Sequence, residues 1–246
     1  MKIQCPPGMR DWYPTDMRRQ NWLLDTWRRL SQRFGFEEYE GPTFEYLDLY
    51  TLKSGPGIVS ELFTFEDRGQ RRFALRPEMT PTLARMVAAQ AHTLPRPLKW
   101  FCLPRMYRAE KPQRGRLREF FQWNVDILGV SDVLADAEVI AVAVAFFREV
   151  GLTPADVVVR VSSRPIAGAA LGSLGVGPEH LEDAFHLVDR YDKLGPDEFA
   201  RQWASTIPTV PPDAVLACME RADLEQALEL VQRAGDAGQG AAAQFR

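Results

Sequence analysis

Apolar residues along this chain switch between helical spacing and strict alternation, and the switches outline the elements. In residues 14–36, Trp22, Leu23, Trp27, Leu30 and Phe34 recur three or four positions apart, which predicts a helix with one apolar stripe. Thr15 or Asp16 is available to cap it and Gly35 to end it. The stretch FEEYEGPTFEYLDLY reads as extended chain interrupted by Gly41 and Pro42. A hairpin follows, with Leu62 to Phe65 and Phe73 to Leu75 flanking a turn at Asp67–Gly69. MTPTLARMVAAQ predicts a second helix. Thr80 serves as its cap and Pro81 opens it, with Leu83, Met86, Val87 and Gln90 on one face.

A third helix spans SDVLADAEVIAVAVAFFREVG, with Ser131 as cap and Gly151 as stop, and its wide apolar face predicts burial. VVVRVSS reads as a short buried strand. From about residue 170 the texture changes to short helices broken by Gly and Pro: PEHLEDAFHLVDRYDKLG, PDEFARQWAS and LEQALELVQRAG. Two domains are expected, a mixed one over residues 1–170 and a helical one over 171–246.

Composition narrows the class. The 246 residues are 46% hydrophobic and carry a net charge of -3, enough apolar residue for a core and no general coat for nucleic acid. No apolar run reaches the length of about 18 residues needed for a membrane span. The start, MKIQCPPGMRDWYP, lacks the apolar core of a signal peptide, so the cytoplasm is the expected compartment. Cys5, Cys102 and Cys218 stand far apart, and His92, His180 and His186 show no zinc-binding spacing.

Against that mildly acidic background, MYRAEKPQRGRLREFFQWNVDILG concentrates arginine in one turn. It predicts one long hairpin. On its second strand Phe120, Gln122, Asn124 and Asp126 share a face, and Phe121, Trp123, Val125 and Ile127 share the other. Arg108 and Glu110 share a face of the first strand. Lys111, Arg114 and Arg116 surround Gly115 at the tip, and guanidinium forks suit phosphate oxygens. A solvated basic tip would look similar at the turn alone. The in-register polar residues favour a site for an anionic ligand beside a small polar one.

YRAE followed by GRLREFFQ resembles motif 2 of the class II aminoacyl-tRNA synthetases in its histidyl-tRNA synthetase form. PPGMRDWYP, FTFEDRGQRRFALRPEMTPTLARM and FFQWNVDILG resemble signatures of the same family in the same order. GFEEYEGPTFE resembles motif 1, with Pro42 as its proline. The resemblance covers roughly residues 5 to 200.

It implies an α+β fold, an antiparallel sheet flanked by helices with a small helical module at the C-terminal end, and a homodimer through the motif 1 region. The implied reaction joins histidine and ATP to histidyl-adenylate and passes the histidyl group to tRNA(His). Carried over residue by residue, Arg108 would hold the α-phosphate and the histidine carboxylate. Glu110 would hold the adenine end of ATP, Arg116 the outer phosphates, and Phe120 would stack on adenine. Glu78, Thr80 and Gln122 would hold the histidine ammonium, and Asp126 would accept from the imidazole. Mg2+ would neutralise the phosphates, with no protein ligand assigned. Many bacterial members carry glutamate where this chain has Asp126, so the acid here is one methylene shorter.

Several of these residues also have structural uses: Thr80 as a helix cap, Glu78 as a complement to a helix N-terminus, Arg116 as a solvated charge. VDRYDKLG reads as a charged helix end with an Asp192–Lys193 turn rather than as motif 3. Motif 3, the histidine-binding loop and the anticodon-binding domain are not found, so the chain is expected to end inside the insertion domain and to fall short of adenylation alone. Two other readings fit parts of the pattern. One is a histidyl-tRNA synthetase-like regulatory subunit of ATP phosphoribosyltransferase; the other is a class II synthetase for another amino acid.

Overall fold

A computed structural model describes residues 3–220 and divides into two compact units, Met1–Val157 and Val158–Arg246. The first unit opens with helix α1 (Pro14–Arg33). Its N-cap is Tyr13 and makes no side-chain bond, so neither Thr15 nor Asp16 caps it. Proline at the first helical turn has its φ already set and no N–H to satisfy, which moves the start upstream of both. Gly35 ends the helix at φ +79°: its N–H donates to Gln32 O at 2.9 Å, and Phe36 N donates to Ser31 O at 3.0 Å. The apolar stripe is turned from the expected one. Leu30 is fully buried and Trp27 stacks on Trp123 at 5.5 Å, whereas Trp22 is 59% exposed.

Three small sheets follow. Strands β1 (Glu37–Glu38), β5 (Leu98–Cys102) and β8 (Asn124–Leu128) form one, in the order β1-β5-β8. The β1–β5 pairing is parallel and the β5–β8 pairing antiparallel. Strands β2 (Phe44–Tyr46), β4 (Arg72–Leu75) and β3 (Thr64–Glu66) form an antiparallel second sheet. The β3–β4 hairpin is the expected one, and Asp67 closes its turn by accepting from the backbone N–H groups of Gly69 and Arg71. The third sheet pairs β6 (Arg105–Tyr107) with β7 (Glu119–Phe121).

The extended reading of residues 36–50 holds only to Tyr46. Leu47–Ser54 is a helix, α2, because Leu47 and Tyr50, one helical turn apart, are both buried against Leu62 and Ala74. Helix α3 (Thr80–Ala89) has Met79 as N-cap without a side-chain bond, so Thr80 is its first helical residue and not its cap. Arg76, only 4% exposed, ties these pieces together: Nε donates to Arg105 O at 2.9 Å and Nη1 to Gly41 O at 2.9 Å, beside an ion pair with Glu40.

Helix α4 (Val133–Glu149) is capped by Asp132, whose side chain accepts from Leu134 N at 2.9 Å, and not by Ser131. It is less buried than its apolar width suggested: Val142 is the buried residue, and Leu134 is 70% exposed. An Asp132→Ala variant should lose about 1 kcal/mol of stability in urea unfolding, and Ser131→Ala almost none.

VVVRVSS is not a strand. Residues 157–163 pair with none of the described strands, and Val158, Val159 and Val161 are exposed. β-branched residues favour extended chain, but a strand also needs a neighbour to hydrogen-bond.

The second unit is helical: α5 (Arg164–Ser173), α6 (Leu181–Asp189), α7 (Tyr191–Leu194), α8 (Pro196–Thr206) and α9 (Pro212–Glu220). The change of texture near residue 170 therefore falls within α5. Phe199 and Trp203 are fully buried in its core, and Trp203 Nε1 donates to Val210 O at 3.0 Å. Asp192 and Lys193 lie on the single turn α7 between Asp189 and Gly195, as a charged helix end requires. LEQALELVQRAG lies outside the described residues.

Candidate active site

The long hairpin of the sequence reading is two ladders. Tyr107 pairs with Glu119 and Arg105 with Phe121, but further along the chain Trp100 pairs with Asp126 and Cys102 with Asn124. The break falls at Pro104, which has no N–H for a ladder; its carbonyl accepts from Gln122 N at 3.1 Å. Alternation survives the break. Phe120 and Leu128 pack with Tyr39, Met79, Leu83, Cys102 and Met106, while Trp123, Val125 and Ile127 pack with Phe36, Phe101 and Val142. The polar positions Gln122 and Asp126 thus lie on the Phe120 side of the strand.

Arg108 follows β6, and its backbone N donates to Arg118 O at 2.9 Å. Its guanidinium lies 5.2 Å over the Phe120 ring, and Nε donates to Pro77 O at 3.2 Å. No carboxylate among the described residues pairs with it. Phe120 is partly buried, with the Arg108 cation over its ring and the Met106 cluster packed against it. Pro77 immediately precedes Glu78, whose carboxylate accepts from Lys53 Nζ at 2.7 and 2.9 Å. Thr80 is exposed at the start of α3.

At the hairpin tip, Gln113 and Arg116 exchange backbone bonds of 3.0 and 2.9 Å around Arg114 and Gly115. Gly115 has φ +78°, which an L side chain rarely adopts. Arg116 is 66% exposed with Nη1 3.5 Å from Glu110 Oε2, a weak surface pair that leaves its charge available. Lys111 and Arg114 are exposed as well.

Two acceptors in this region are sealed from water without a hydrogen-bond partner, Gln122 Oε1 and Asp126 Oδ2. Burial pushes the Asp126 carboxyl above the ordinary aspartate range. Buried acceptors of this kind are exceptional in folded proteins, and a ligand donor would satisfy them.

Three contributors were not legible in the sequence. Arg118 braces the hairpin: its Nε donates to Glu110 O at 2.9 Å and its N–H to Gly8 O at 2.7 Å. Gly8 sits against it so closely that a Cβ would come 2.8 Å from Arg118 Cγ, which explains a glycine in PPGMRDWYP. Lys53 and Tyr39 come from segments with no charge or spacing signal pointing at the hairpin.

Chemically, the arrangement offers an unpaired guanidinium held against an aromatic ring, more arginine at the tip for an extended anion, and buried acceptors for a ligand carrying N–H groups. A histidine–tRNA ligase of Arabidopsis thaliana, chloroplastic/mitochondrial, is 38% identical over 240 residues, 98% of this chain and 49% of that protein. The chain therefore spans about half the length of the curated relatives it matches. The solved histidyl-tRNA synthetase of Nostoc sp. PCC 7120 superposes with a TM-score of 0.81 at 21% identity, over 100% of this chain and 56% of that one. An ATP phosphoribosyltransferase regulatory subunit/histidyl-tRNA synthetase from Bacillus halodurans gives 0.78 at 23%, over 99% and 62%; at such identities both support the α+β class II synthetase-like fold alone. The sequence profile described as Histidyl-tRNA synthetase matches residues 8–244, and with that span and the motif order together, the chain belongs to the histidyl-tRNA synthetase family.

Proposed function

We propose that this chain carries the ATP- and histidine-binding part of a histidine–tRNA ligase, which activates histidine as the adenylate and transfers it to tRNA(His). The observation that carries this reading is the unpaired Arg108 guanidinium over Phe120, on the same face of the strand pair as the orphaned acceptors of Gln122 and Asp126. Arg108 would stabilise charge on the α-phosphate as the histidine carboxylate attacks, and it needs no reorganisation because Phe120 and Pro77 already hold it. Arg116 would meet the outer phosphates and Glu110 the adenine end, with Phe120 against the base. Asp126 would accept an imidazole N–H. Glu78, with Thr80 and Gln122, would take the histidine ammonium; its pairing with the Lys53 ammonium supports that preference.

Among the described residues no three His, Cys, Asp or Glu side chains converge as a cation cage. Mg2+ would accompany the ATP phosphates and neutralise their charge. Residues 1–170 would form the catalytic core and 171–246 part of the insertion domain. A homodimer through the motif 1 region belongs to the same reading, supported by exposed Phe44 and Tyr46 on β2. So does a cytoplasmic location; among the described residues no helix is long and apolar enough to cross a membrane.

Thermal-shift ranking of the 246-residue chain tests the site. ATP and histidine should each raise the melting temperature, and histidine should outrank proline and threonine. A shift with proline alone would reassign the amino acid. A histidine shift without an ATP shift would point instead to a histidine-binding regulatory subunit.

A further inference from the structure

The Asp126 carboxylate has one oxygen sealed from water without a hydrogen-bond partner, and Tyr39 packs on the face of the sheet from which it projects. Tyr39 N donates to Phe101 O at 2.9 Å, continuing the β1–β5 pairing. Its ring lies 5.6 Å from Trp100, the cross-strand partner of Asp126. Tyr39, Trp100 and Phe120 pack in one cluster, on the face from which Asp126 projects.

Tyr39 is 8% exposed, and its hydroxyl is sealed from water without a hydrogen bond of ordinary geometry. Its neighbour is the Cys102 thiol, a weak acceptor; burial pushes that thiol up to about 12, so it stays protonated. Asp126 Oδ2 is sealed and unpartnered in the same cluster. A buried donor and a buried acceptor on one face of the sheet, each unsatisfied, are both costly, and pairing them relieves both. Gln122 Oε1 is a further orphaned acceptor, but Gln122 lies beyond the end of the β5–β8 ladder, at Pro104, while Asp126 is directly opposite Trp100. Polar contacts in ligand-free sites are often long and tighten when the ligand enters.

We propose that Tyr39 is a positioning residue for the amino-acid pocket: its hydroxyl donates to Asp126 Oδ2 in the liganded state and leaves the other carboxylate oxygen to the ring N–H of the substrate. This rests on the histidine-site reading above. Burial, with Cys102 and the Asp126 charge adding to it, keeps the phenol protonated, so it remains a donor throughout the working pH range.

The test is a double-mutant cycle on the 246-residue chain, with histidine and ATP affinities measured by calorimetry. Tyr39→Phe keeps the ring against Trp100 and should weaken histidine about three- to tenfold, leaving ATP within about twofold. In an Asp126→Asn background the same substitution should cost nothing further, because the oxygen it serves has lost its charge. Additive losses, unchanged histidine affinity, or an equal loss for ATP would overturn the assignment of Tyr39 while the histidine site itself stands. A wild-type chain that binds no histidine would overturn the site reading, and this inference with it.

Discussion

Arg108→Ala should weaken ATP binding by about 1.5–3 kcal/mol, the range for a hydrogen bond to a charged group, or roughly ten- to 150-fold in Kd. The expectation follows from what surrounds the guanidinium. A structural arginine has its charge matched; this one has a ring beneath it and a carbonyl at Nε, and no carboxylate among the described residues. Its structural contribution is the contact with Phe120, about 0.5–1 kcal/mol at a partly exposed site. The ligand-free variant should therefore melt only slightly below the wild type while its ATP-induced shift collapses. Calorimetry with ATP and thermal melts of the ligand-free chain separate the two effects. An equal ATP shift in wild type and variant would remove Arg108 from the site.

Asp126→Asn should do two opposite things. Histidine affinity should fall about ten- to 100-fold, as a charge-assisted acceptor is lost, with ATP affected much less. The ligand-free protein should become more stable at neutral pH. Burial raises the folded-state pKa of Asp126 above its ordinary 3.8, so the folded chain holds that proton more tightly than the unfolded chain. The stability linked to that proton is fully present below pH 3.8 and is lost as pH rises through the raised folded value. At neutral pH the wild type has already lost it, and asparagine, neutral throughout, avoids the loss. Melting temperatures measured from acid to neutral pH should therefore diverge upward in favour of the variant and converge in acid. A variant less stable than wild type at pH 7, or equally impaired toward both ligands, would instead report a disrupted fold.

Part of the local geometry was legible residue by residue. Gln122 and Asp126 stand in an alternating frame that sets them on the Phe120 side of the chain, and alternation is a covalent property of extended chain, whereas Arg108 and Glu110 lie beyond the end of β6. The β3–β4 hairpin was legible for the same kind of local reason, since Asp67 accepts from two N–H groups of its own turn. Misreadings came where distant partners decide. Pro104 splits the hairpin into two ladders, and which strand β8 then pairs with depends on β5, more than 20 residues upstream. Residues 157–163 carry strand-forming side chains but pair with none of the described strands. Caps shifted by one to three positions: proline fixes the first turn at α1 and α3, and Asp132 rather than Ser131 takes the N–H at α4.

What the sequence determined by itself is the chemistry on offer: an arginine-rich turn, and a run of alternating residues that sets Gln122 and Asp126 on one face. Local periodicity and backbone stereochemistry settle those without reference to the rest of the chain. Only the tertiary structure decided which charges stay unmatched and which polar atoms lose water. Arg108 is available because no carboxylate among the described residues pairs with it, Glu78 is engaged because α2 delivers Lys53, and Asp126 Oδ2 loses water on the face where Tyr39 and Trp100 pack. Burial and pairing are properties of three-dimensional neighbours, and neighbours separated by tens of residues leave no periodic trace in the chain.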